Sequence, residues 1–69
     1  MEPIILDCKA LEWQQLFSKH AAEGKDIDLI HFQDASNADF CENIARHNGM
    51  RLMIDSEHDT AFLRKTKED

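Results

Sequence analysis

The sequence predicts a small α+β protein: a two-layer βαβαββ sandwich, with two helices on one face of a mixed four-stranded sheet. Three observations predict it. The apolar spacing switches between strand-like and helix-like periods along the chain. The two helix-like stretches end at Gly24 and at Asn48-Gly49, residue types that readily adopt the left-handed turn closing a helix. Finally, 69 residues allow one domain with a thin core, and two packed layers are the economical way to build one.

The first strand is expected at about Pro3–Asp7, around the apolar run Ile4-Ile5-Leu6. The first helix is expected over roughly Ala10–Glu23. There Ala10, Trp13, Leu16, Phe17, His20 and Ala21 recur at helical spacing, and Glu12, Gln15, Lys19 and Glu23 face away. A second strand follows over about Asp26–Gln33. Simple alternation puts Ile27 and Leu29 on one face and Ile30 and Phe32 on the other. Apolar residues on both faces suit a central strand, or a strand with a partner on its open face.

The second helix is expected to start near Ser36 or Asn37, with Ser36 and Asp39 spaced like a capping box. Its buried stripe is Phe40, Cys41, Ile44 and Ala45. Arg51–Asp55 and Ala61–Lys65 then read as two strands joined by the polar segment Ser56–Thr60 as a hairpin. Thr66–Asp69 reads as a charged, frayed tail. A strand-helix-strand unit makes the first two strands parallel, and the hairpin is antiparallel.

Composition narrows the function. Fourteen acidic residues against eight basic ones give a net charge of −6. That excludes nucleic acid and anionic membrane surfaces as natural partners, and favours protein partners, a basic one included. The start, Met1-Glu2-Pro3, carries no signal-peptide pattern, so the expected location is the cytoplasm with both thiols reduced. No glycine-rich phosphate loop, nucleophile elbow or H-E-x-x-H occurs. The four histidines are not spaced like metal ligands. No cofactor and no metal is expected, and catalytic turnover is not expected at this size.

The chemistry-bearing candidate is Cys8, at the junction of the first strand and first helix. A thiol at a helix N-terminus feels the positive end of the dipole, which lowers its pKa. Lys9 would reinforce this and Asp7 would oppose it. Such a thiolate can accept sulfur and pass it on as a persulfide. The other reading is a small buried hydrophobe that finishes the strand. Cys41, on an apolar stripe, reads as a core residue. Trp13 either packs on the sheet or, exposed, anchors a partner.

The element order and several local sequences resemble the TusA/SirA family of sulfur-carrier proteins, over nearly the whole chain. Leu6-Asp7-Cys8-Lys9-Ala10-Leu11 is similar to that family's L-D-x-[RK]-G-L. Gly24 with the second strand and Asp34 resembles its G-x-x-L-x-V-x-x-D-D. Asp39-Phe40 resembles its D-[IFL]. Ile44 to Leu52 around Gly49 resembles [FW]-[CA]-x-x-x-G-H-x-L, with Met50 in place of the histidine. Phe62-Leu63-Arg64-Lys65 resembles its closing F-x-I-R-K.

The family's C-P-x-P motif, whose cysteine carries the sulfur, is missing here; the sole proline is Pro3. Two registers compete. Matching Leu6-Asp7 to the family's L-D puts its cysteine position on Trp13 and the prolines on Gln14 and Leu16, and the carrier site is then lost. Matching Cys8 to the family cysteine keeps the helix length, with Lys9 and Leu11 replacing the prolines.

The resemblance implies sulfur relay through Cys8 between protein partners, a cysteine desulfurase as donor and a sulfur acceptor, with Lys9 and Trp13 as partner-binding residues. The alternative is a non-catalytic interaction or regulatory module of the same fold. An apolar open sheet face also permits a homodimer.

Overall fold

The computed structural model describes residues 2–66. It is an α+β two-layer sandwich with the expected element order. The elements are β1 (Ile5–Asp7), α1 (Trp13–Ala22), β2 (Ile27–His31), α2 (Ala35–His47), β3 (Met50–Asp55) and β4 (Thr60–Lys65). The strands lie in the order β1-β2-β4-β3. β1 pairs with β2 in parallel, and β4 pairs antiparallel with both β2 and β3. No helix among the described residues is long and apolar enough to cross a membrane. The expected tail falls partly on residues 67–69, outside the described residues.

One sheet face packs against both helices. Leu6, Ile27, Ile30, Ala61 and Leu63 from the strands meet Trp13, Phe17 and Ala21 of α1 and Cys41 and Ala45 of α2 in a single buried cluster. Among the described residues that cluster contains no polar or charged residue, though the His20 Nδ1 of α1 is buried without a hydrogen-bond partner. Ile4, Ala38, Phe40, Ile44 and Leu52 border the cluster.

Three expectations need correction. First, α1 begins at Trp13, not Ala10. The Asp7 carboxylate accepts the Lys9 N–H at 2.9 Å, and Ala10 N–H donates to the Asp7 carbonyl at 2.9 Å. The chain therefore turns through residues 8–12 before it coils, and Glu12 supplies no side-chain cap.

Second, α2 is capped by Asp34 and not by Ser36. Asp34 accepts the Ser36 N–H at 3.0 Å, and Asn37 Oδ1 accepts the Gln33 and Asp34 N–H groups at 2.8 and 3.0 Å. These bonds satisfy backbone donors that the helix start leaves free.

Third, β2 does not alternate. A bulge between Ile27 and Ile30 sends both into the core and puts Asp28 and Leu29 on the outside. An extra residue in one strand flips the phase of everything after it. Of the four apolar residues expected on the two faces of β2, only Leu29 faces out; Ile27, Ile30 and Phe32 are buried.

The helix stops are as expected. Gly24 and Gly49 have φ of 70° and 66°, the left-handed region in which a Cβ is strained.

Candidate functional site

Cys8 follows β1 directly, and its N–H donates to the His31 carbonyl at 3.0 Å, extending the ladder by one rung. Its residue is only 4% exposed. It sits five positions before Trp13, the first residue of α1. The helix dipole acts within the first turn, so it does not reach this thiol as the sequence suggested. The charges that do act on it are acidic. Burial first, then Asp7 and Asp34, push the thiol up to about 11. Lys9 is exposed, and its backbone N–H serves the Asp7 turn. The expectation that Lys9 and the dipole would favour a thiolate is therefore corrected: the surroundings favour the neutral thiol.

Cys41 is fully buried in α2, and burial, then Cys8, pushes its thiol up to about 12. This is the core cysteine the apolar stripe implied. Both cysteines are free thiols.

Trp13 is 8% exposed and meets Phe40 edge-to-face, with centroids 5.2 Å apart and planes at 76°. It joins α1 to α2, so it is not an exposed partner anchor; that expectation is corrected too. Of the three residues singled out in the sequence, Lys9 alone has an exposed side chain.

The carboxylate pairs Asp55/Glu57 and Asp26/Asp28, which sit beside strand ends and read from the sequence as solvated, both serve the fold. Asp55, Glu57 and His58 bring their ligand atoms within 4.8 Å of one another in the turn before β4. Asp55 already accepts from His58 Nδ1 at 2.9 Å and from the Glu57 N–H at 3.1 Å. The His58 bond is the main reason its carboxyl lies below the usual range. An open hollow near Gly24 is lined by Lys25, Asp26, Asp28 and Lys65. There Asp26 accepts the Lys65 N–H, and Asp28 accepts the Ile4 N–H and pairs with Arg64.

The feature that packing and local turns do not account for is the second sheet face. No helix covers it. Each of the four strands places one large apolar residue there, and the register aligns them. Ile5 lies opposite Leu29, and Met53 opposite Phe62. The β2 bulge brings Leu29 beside Phe62.

The result is a continuous row, Ile5-Leu29-Phe62-Met53, running across the sheet. The four are 64%, 39%, 39% and 44% exposed. Single exposed apolar residues are ordinary, whereas a contiguous set bordered by charge marks a contact surface.

Charges flank the row on both sides. Arg51 and Arg64 are paired neighbours beyond one side. The Arg64 guanidinium stacks 4.9 Å over the Phe62 ring and pairs with Asp28 at 3.3 Å. Asp7 and His31 on one half, and Thr60 and Asp55 on the other, lie beyond the opposite side.

Sequence reasoning missed this row, apart from Leu29. The signal is one outward apolar residue per strand, but Arg51-Leu52-Met53-Ile54-Asp55 contains three consecutive apolar residues and hides its own phase. Comparison with protein-family models, with curated proteins and with solved structures finds no match.

Proposed function

We propose that this chain is a non-catalytic protein-interaction module, a TusA/SirA-like fold whose carrier site is lost, acting in the cytoplasm through its uncovered sheet face. The observation that carries the reading is the apolar row Ile5-Leu29-Phe62-Met53, which spans all four strands between two charged margins. An enzyme or carrier needs a group poised to react. Here the Cys8 thiol is buried and pushed up to about 11, which weighs against relay through it. The motif is unfilled in either register, with Lys9 and Leu11 or Gln14 and Leu16 where the resemblance would put prolines.

A photoreactive phenylalanine analogue tests the face. Placed at position 62, it reports what touches the row; placed at Gln15, on the exposed back of α1, it is the control. In cells that express the chain, discrete cross-links from position 62 and none from 15 are expected. Equal labelling from both positions, or none from 62, refutes the reading. So does a mass gain of one sulfur at Cys8 after incubation with a cysteine desulfurase and cysteine.

A further inference from the structure

We propose that the occupant of the uncovered face is a second copy of the chain, related by a two-fold axis running along the apolar row. This rests on the interaction-module reading and names its partner. The argument is the ordering of charge about the row. β3 shows it most simply: its outward residues are Arg51, Met53 and Asp55, cationic, apolar and anionic in turn. Across the sheet the order is partial: β4 carries Arg64 but ends in Thr60, β1 carries only Asp7, and Asp28, paired with Arg64, lies on the arginine side. Arg51 and Arg64 lie on one margin, and Asp55 and Asp7 on the other, with the apolar row between.

Two such faces can meet in two ways. An axis along the strands would lay arginine margin on arginine margin. An axis along the row lays each arginine margin on the partner's aspartate margin. Arg51 of one copy then stands over Asp55 of the other, twice in the dimer. Met53, Phe62, Leu29 and Ile5 each face their own counterpart. An isologous interface requires a patch that is complementary to itself under rotation, and Arg51, Met53 and Asp55 of β3 supply one.

Arg51 makes no ion pair among the described residues, so it is available for this contact. Strands of the two sheets would run antiparallel and nearly aligned, the usual packing of two sheet faces.

Two further points bear on strength. The face carries two arginines against three aspartates, Asp28 included, so most of the net charge of −6 lies elsewhere. Four strands about 4.8 Å apart and about five residues long give a plane of roughly 19 by 17 Å. With side-chain relief, a pair buries on the order of 1,000 Å², the low end of specific interfaces. The dimer is therefore a weak one, with a dissociation constant in the micromolar range or above.

Sedimentation equilibrium from roughly 10 μM to 1 mM brackets that range. The wild-type mass is expected to climb from one chain toward two. Arg51→Asp and Asp55→Arg should each weaken association at least tenfold, and combining them should restore it. A general acidic repulsion would not give that recovery. Because Asp55 also ties its turn, Met53→Lys is the second route: it sets two lysines face to face on the axis, at a site that is half exposed.

A wild-type chain that stays monomeric throughout overturns the proposal. So does a folded double variant that does not recover, or a Met53→Lys chain that still dimerises. Monomeric wild type with position-62 cross-links to a different protein overturns self-pairing and leaves the interaction-module reading standing. Monomeric wild type with no such cross-links overturns both.

Discussion

The environment of Cys8 makes a quantitative prediction about alkylation. The perturbation is iodoacetamide applied to the native chain across pH. The Cys8 thiol is pushed up from an ordinary value of 9.0 to about 11. At neutral pH the native thiolate fraction is then about 100-fold below that of a free cysteine, before steric access is counted. A second route runs through unfolding. A core of this size supports about 3–5 kcal/mol, so the open state lies roughly 150- to 5,000-fold below the native one. Reaction takes the faster route, and both are slow.

Cys8 and Cys41 are therefore expected to be protected at least about 100-fold at pH 8 against the chain in denaturant. Mass spectrometry after timed quenching separates the two sites. Where unfolding dominates, protection falls in step as denaturant is added. If Cys8 alone reacts within about tenfold of the free rate, the thiol is accessible and poised, and the reasoning fails.

The same shifts set an alkaline limit on stability. A thiol whose folded pKa lies above its unfolded one stabilises the fold at low pH and loses that contribution as pH rises. The window runs from about 9 up to about 11 for Cys8 and about 12 for Cys41. Alkaline unfolding should thus move to higher pH in Cys8→Ala, Cys41→Ala or both, relative to each variant's stability at neutral pH.

Two other predictions concern the fold that holds the face. Asn37→Ala removes the acceptor for two backbone N–H groups at the start of α2. It should cost about 1 kcal/mol and lower Tm by about 4–8 °C; an unchanged Tm would deny the capping box its role. The edge-to-face pair of Trp13 and Phe40 should show a coupling of about 0.5–1.5 kcal/mol in a double-mutant cycle with Leu replacements, read by denaturant unfolding. Independent, additive effects would show that the ring pair adds nothing beyond the area each side chain buries.

The element order was legible in the sequence because its punctuation is local. Gly24 and Gly49 close their helices through their own backbone preference, whatever surrounds them. The buried stripe of α2 was legible for the same reason, since Cys41 and Ala45 keep helical spacing. The start of α1 was not legible. Ala10 fits the helical period, but the Asp7 side chain captures the Lys9 N–H and commits the chain to a turn. Such captures compete with helix formation and leave no periodic trace. The same turn decides the chemistry of Cys8, because it moves the helix end, whose dipole would lower the thiol's pKa, away from it.

The outward face was the least legible feature, and the reason is the bulge in β2. Strict alternation would point Asp28 out, Leu29 in and Ile30 out. The extra residue between Ile27 and Ile30 reverses this and buries both isoleucines. Two consequences follow from that one irregularity. The core gains Ile30, which is completely buried opposite Ala61. The open face gains Leu29 in place of Ile30, directly opposite Ile5 and beside Phe62, which aligns the row.

A bulge that only relieved local strain would not need an apolar residue at its exposed position; Asp28 shows that a polar one is accommodated beside it. A leucine kept in the row, 39% exposed, makes sense when something dry covers it. The bulge thus links core packing to docking: it closes one side of the sheet and completes the apolar row on the other.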